Sequence, residues 1–201
     1  MFKENIFAVV FDLDNTLVSS SLNFREIKAA INCPEKEDIL NFINSLSTEQ
    51  KRQAQQVVND YEMADAIAAK KMPGTDDLLQ LLNRLNIPCA IVTRNNKAAA
   101  SLKTSNNGID VPLLITREHF PAKPAPDALV YLANYWQIKP ENILFVGDYL
   151  YDIQMAINAN TQSCLLSYGQ TLEYAHLATC TVDDLVQLSQ LIKQVSKATA
   201  N

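Results

Sequence analysis

Glycine is scarce in this chain, with four in 201 residues, at Gly74, Gly108, Gly147 and Gly169. They form no GxGxxG or Walker-type phosphate loop, so dinucleotide-loop and NTP-loop readings fall away. Histidine and cysteine are equally thin. His119, His176 and the widely spaced Cys33, Cys89, Cys164 and Cys180 contain no CxxC pair, which argues against a zinc site or a disulfide framework. Neither histidine has a nucleophile placed beside it, and Ser19-Ser20-Ser21 lacks a GxSxG elbow, so a serine hydrolase does not fit. Long apolar runs are missing too. The run at 6–11 is interrupted by Asp12 and Asp14, too early for a signal sequence, and no other stretch is long enough for a bilayer span. The expectation is a cytoplasmic protein with no membrane partner. Net charge is −5, and no run of Lys and Arg offers the basic stripe that nucleic acid requires. A small soluble substrate fits better.

What is present is enough apolar residue for a core, 48% against 19% charged. Apolar runs of strand length occupy 6–11, 88–92, 112–115, 142–146 and 163–166, and helical spacing occupies 75–85, 96–104, 126–135, 150–158 and 182–195. This alternation predicts an α/β fold, a doubly wound, Rossmann-like parallel sheet covered on both faces. The interval 18–72 breaks the alternation. Rich in Ala, Gln, Glu, Lys and Asn, it predicts helices at 24–31, 36–46 and 49–71. The chain therefore divides into core 1–17, a small helical insert 18–72 and core 73–201, with Pro73-Gly74 marking the return.

Four segments then stand out, each following a strand or opening a helix: Phe11-Asp12-Leu13-Asp14-Asn15-Thr16, Val92-Thr93-Arg94-Asn95, Ala122-Lys123-Pro124 and Gly147-Asp148 with Asp152. In a parallel sheet all four meet at the carboxyl ends of the strands, where open α/β sheets bind ligands. Asp12 and Asp14, two residues apart in extended backbone, point the same way and repel unless a cation or proton intervenes. With Asp148 and Asp152 added, a hard divalent ion with oxygen ligands, Mg²⁺ first, is the natural partner. A metal-held Asp can attack phosphorus. Lys123, before a stiff Pro-Ala-Pro, suits neutralisation of nucleophile and phosphate charge. Thr93, at a predicted helix start, suits a phosphate oxygen. Any one of these acids alone is as well explained as a helix cap, and their joint occurrence is what points to phosphoryl chemistry.

On these residues the chain resembles the haloacid dehalogenase-like hydrolase superfamily, in its phosphatase branch with a helical, C1-type cap, as in phosphoglycolate phosphatases. Asp12-Leu13-Asp14-Asn15-Thr16 matches the DxDxT motif, Thr93 the second motif, Lys123 the third, and Gly147-Asp148 with Asp152 the fourth. The resemblance implies a Rossmann-like sheet with the first strand central and 18–72 as cap. It implies Asp12 as nucleophile and metal ligand, and Asp14 as general acid and base and as a backbone metal ligand. Thr93, Arg94 and Lys123 become phosphate-binding residues, Asp148 a direct Mg²⁺ ligand, and Asp152 an orienting residue behind them. Asn15 departs from the family at a place where Gly is frequent, and Ser19 at a place where the cap hinge often carries Asp.

The function so implied is Mg²⁺-dependent hydrolysis of a small phosphate monoester, phosphoglycolate-like or sugar-phosphate-like, through an aspartyl phosphate. A phosphomutase on the same core is the alternative enzyme. A phospho-Asp signalling or binding domain is the alternative from another class, though a receiver module lacks a large insert after its first strand. The sequence leaves the metabolite, the pathway and the oligomeric state open.

Overall fold

The computed structural model describes residues 2–198, so residues 1 and 199–201 of the two predicted core segments lie outside the described part. The elements run β1 (Ala8–Phe11), α1 (Phe24–Ala30), α2 (Ile39–Ser45), α3 (Thr48–Ala68), α4 (Thr75–Arg84), β2 (Cys89–Val92), α5 (Lys97–Asn106), β3 (Leu113–Ile115), α6 (Asp127–Trp136), β4 (Ile143–Gly147), α7 (Leu150–Asn158), β5 (Gln162–Leu166), β6 (Cys180–Val182) and α8 (Leu185–Ala198). The strands form one parallel sheet in the order β3-β2-β1-β4-β5-β6. This is the α/β class that the alternation predicts.

Strand β1 shows why the sheet is covered on both sides. Its four residues are all buried, and successive side chains enter different clusters. Val9 and Phe11 pack with Leu144, Val146, Ile91 and the apolar faces of α4 and α8, while Ala8 and Val10 pack with Phe145, Ala90 and the faces of α6 and α7. Burial of each large apolar side chain contributes about 1.5–3 kcal/mol. The loop after β1 is thereby hung from a strand buried on both faces.

Two sequence expectations shift. Strand β6 falls partly inside the segment read as the start of the last helix. Three residues long and only partly buried, it carries little periodic signal. The helix read as 49–71 ends at Ala68 because the chain there straightens to pair with the outgoing crossing. Ser19 N donates to Lys70 O at 2.7 Å and Met72 N to Leu17 O at 2.9 Å, and Val18 bridges Lys71. Between these crossings α1, α2 and α3 enclose their own apolar cluster, including Ile27, Ile39, Ile43, Ala54 and Val58, which shares no member with the two clusters of the sheet.

Candidate active site

The strand order reverses direction between β1 and β4, so the crevice at their carboxyl ends is the topological switch point. The ladder continues one residue past β1, with Asp12 N donating to Val146 O at 2.8 Å. The chain then turns. Leu13 is buried, and Asn15 adopts a left-handed backbone with φ of 52° while its Oδ1 accepts from Ser20 N at 3.0 Å. Asparagine tolerates this conformation better than other side-chain-bearing residues, which is the physical reason that it can stand where glycine is frequent.

Lys123 lies at the centre of the acids. Its Nζ is 2.6 Å from Asp12 Oδ1 and 2.6 Å from Asp152 Oδ1. Burial alone lowers a lysine pKa, but the charges of Asp12 and Asp152 outweigh it and hold this ammonium above the ordinary value. Asp152, in the first turn of α7, also accepts from Tyr149 N at 3.0 Å, so both its oxygens are engaged. Asp12 Oδ1 accepts from Leu13 N at 2.7 Å as well. Its Oδ2 carries no hydrogen bond among the described residues. Asp12, Asp148 and Asp152 bring carboxylate oxygens within 4.8 Å of one another. Burial first, then the charges of Asp12 and Asp152, push the Asp148 carboxyl up to about 8. Three carboxylates facing one paired ammonium are a hard-oxygen donor set short of positive charge, which fits a divalent cation of the Mg²⁺ type.

The expected metal set takes Asp14 by its backbone, so the carboxylates to compare are those of Asp12 and Asp148. Asp152 joins Asp12 and Asp148, whereas the Asp14 carboxylate turns to other partners: Asn95 Nδ2 at 2.8 Å and Lys103 Nζ. Burial raises the Asp14 pKa, with Lys103 pulling against it and Asp12 adding to it. The two acids of one loop thus sit in distinct environments. Thr93 is buried, and its Oγ1 accepts from Asn95 N at 3.2 Å. Helix α5 begins only at Lys97, capped by Asn96, so Thr93 precedes the helix start rather than opening it. Arg94 is committed elsewhere. Its Nη2 lies 2.6 Å from Asp38 Oδ2 of the insert, its Nη1 donates to Lys123 O, and its guanidinium stacks 4.7 Å from the Tyr151 ring centre.

Lys103, Asp65 and Asp38 reach this site without having been singled out from the sequence, and Asn95, quoted there in the second segment, had no role assigned. One signal was available for Lys103: with Ala99 and Ala100 it falls on one face of α5, and that face is the buried one. A lysine on an apolar stripe needs a partner. Gly147 supplies a further constraint. A Cβ there would lie 2.7 Å from Asp152 Cβ, so Gly147→Ala is expected to displace Asp152 from Lys123. The expected cost is about 1–3 kcal/mol of stability, read by denaturant unfolding, with loss of turnover; unchanged stability and rate would contradict this packing.

The haloacid dehalogenase-like hydrolase family profile matches residues 6–160. An uncharacterized hydrolase of Saccharomyces cerevisiae is 32% identical over 209 residues, covering 96% of this chain and 94% of its own. The phosphoglycolate phosphatase of Neisseria gonorrhoeae is 32% identical over 130 residues, covering 63% of this chain and 53% of its own. The crystal structure of a hydrolase from Pseudomonas syringae superposes with a TM-score of 0.80 at 20% identity, covering 94% of this chain and 98% of that one. The chain belongs to the haloacid dehalogenase-like hydrolase family. It is a hydrolase enzyme of that family.

Proposed function

We propose that the protein is a Mg²⁺-dependent phosphatase that hydrolyses a small phosphate monoester through an aspartyl phosphate on Asp12. The observation that carries this reading is the division of environment within one loop. Asp12 sits against Lys123 with an oxygen unengaged, and Asp14 sits against Asn95 and Lys103. Carboxylates so separated can take different roles, one as nucleophile and one as acid and base. Asp12 and Asp148, with the Asp14 backbone carbonyl, would hold the Mg²⁺, which when bound supplies charge neutralisation for the phosphoryl group.

In the first half-reaction Asp12 Oδ bonds to phosphorus, the bond from phosphorus to the ester oxygen breaks, and Asp14 gives its proton to that oxygen. In the second, Asp14 takes a proton from water, the water oxygen bonds to phosphorus, and the acyl-phosphate bond to Asp12 breaks. Lys123 and Thr93 bind phosphoryl oxygens. Asp152 keeps Lys123 aimed. Arg94 links the phosphate end of the site to Asp38 of the insert.

Residues 18–72 act as the cap that selects the leaving group, with the crossings at 18–21 and 71–74 as hinges. A groove of about 550 Å³ between the insert and the 117–122 loop is lined by Asn44, Lys51, Gln55, Asn59, Arg117 and His119, among others. Leu40, Glu118, Phe120 and Pro121 complete the lining, which ends at Ala122 beside Lys123, so a leaving group reaching it would meet polar and apolar side chains together. The test is a screen of metabolite monoesters and 4-nitrophenyl phosphate with Mg²⁺. Inorganic phosphate release from a small polar monoester is expected, and no release from any ester would overturn the reading.

A further inference from the structure

Lys103 is fully buried, an environment that strongly disfavours an ammonium unless it is paired and hydrogen-bonded. Its Nζ donates to Asp14 Oδ1 and, at 2.7 Å, to Asp65 Oδ2. Asp65 belongs to α3 of the insert and is itself fixed from the outgoing crossing. Ser20 Oγ donates to its Oδ2 at 2.8 Å, and Ser21 N and Ser21 Oγ donate to its Oδ1 at 2.6 and 3.0 Å. On the other side Asn95 Nδ2 grips the second oxygen of Asp14 at 2.8 Å. A continuous polar chain therefore runs from the crossing serines through Asp65 and Lys103 to Asp14.

We propose that Lys103, anchored by Asp65, is a positioning residue for Asp14, fixing the carboxyl group that, once protonated, gives its proton to the leaving oxygen. The role rests on the phosphatase reading above. A carboxylate held at both oxygens by groups that are themselves immobile keeps one rotamer, and proton delivery to an ester oxygen depends on that aim. Because Asp65 rides on the insert while Lys103 belongs to α5, the aim is complete when the insert is seated on the sheet domain. A purely structural lysine would instead join α3 to α5 and leave the chemistry of both ester classes alike.

The two roles separate by leaving group. An alkyl ester needs a proton on its departing oxygen, and 4-nitrophenolate leaves without one. With Mg²⁺ present, kcat/KM is measured for glycerol 2-phosphate and for 4-nitrophenyl phosphate in the full-length protein. Lys103→Met is expected to lower the alkyl value by about 100-fold or more and the aryl value by less than about tenfold, while Lys103→Arg recovers part of the alkyl loss. Asp65→Asn is expected to shift the alkyl-to-aryl ratio in the same direction and by less. Equal losses on both esters, or none, overturn the positioning role. If Lys103→Met does not fold, the ratio in Lys103→Arg and Asp65→Asn decides, and an unchanged ratio in both overturns it. If the wild type ignores glycerol 2-phosphate, the alkyl monoester found by the metabolite screen takes its place, and absence of release from every ester overturns the phosphatase reading and this role with it. Wild-type hydrolysis with an unchanged ratio overturns this role alone.

Discussion

Asp12→Asn is expected to lower kcat by more than about 10⁴-fold, the scale on which removing a nucleophile acts, and to leave no label on the protein after acid quench with labelled monoester. The variant keeps the shape of the side chain, and Lys123 keeps Asp152 at 2.6 Å, so the fold has no reason to fail. The buried Lys123 loses one of its two ion partners, so the metal-free variant is expected to melt below the wild type at neutral pH while remaining folded. Asp14→Asn, in contrast, retains the nucleophile and loses a proton carrier, an effect of about 10²–10⁴-fold. With a good leaving group it is expected to accumulate labelled protein. A near-normal rate in Asp12→Asn would end the covalent assignment.

Chelation is expected to abolish turnover and Mg²⁺ to restore it, whereas Ca²⁺, with its larger and looser coordination shell, should inhibit. The acidic cluster adds a pH signature. Asp148 is raised from 3.8 to about 8 in the metal-free fold, so folding favours its protonated form. Its contribution to stability is complete below pH 3.8 and is lost as pH rises through about 8. Thermal melting of the metal-free protein should accordingly fall between about pH 5 and 8, and the increment from Mg²⁺ should grow over the same interval as the cation takes the place of the proton. Full activity in chelator, or a melting temperature that ignores Mg²⁺ at every pH, would remove the metal from the account.

Much of this was legible in the chain because the informative residues follow strands. Asp12, Thr93 and Asp148 each stand just after an apolar run, and a parallel sheet brings such positions to one end whatever the details of packing. Lys123 needed only its stiff Pro-Ala-Pro neighbour to be noticed. Lys103 and Asp65 were different. Each lies in a helix whose composition looks like a solvated surface, and their meaning depends on which face of α5 meets which face of α3, a tertiary relation that no local pattern states. The buried stripe Val58, Glu62, Asp65 and Ala66 in α3 mixes acids into a core face, so periodicity and polarity disagree there. Arg94 shows the opposite limit. Adjacent to Thr93, it reads as a phosphate ligand, yet its long side chain reaches Asp38 on the insert.

The insert closes on its own apolar cluster and, apart from Val18 and Ala69 at its crossings, meets the rest of the molecule through several ion pairs. Arg94 pairs with Asp38, Arg117 with Glu62 at 2.5 Å, and Lys103 with Asp65 at 2.7 Å, with Asn96 Nδ2 donating to Glu62 at 2.7 Å. Parting α3 from α5 would wet these ions and amides, which the helices bury along with alanines of their own. Because the Lys103–Asp65 and Arg117–Glu62 pairs are buried, added salt screens them far less than it would pairs on the surface. Under the proposed hinging, these three helices would swing by breaking buried ion pairs, in a molecule whose unfolding is governed by water and oil.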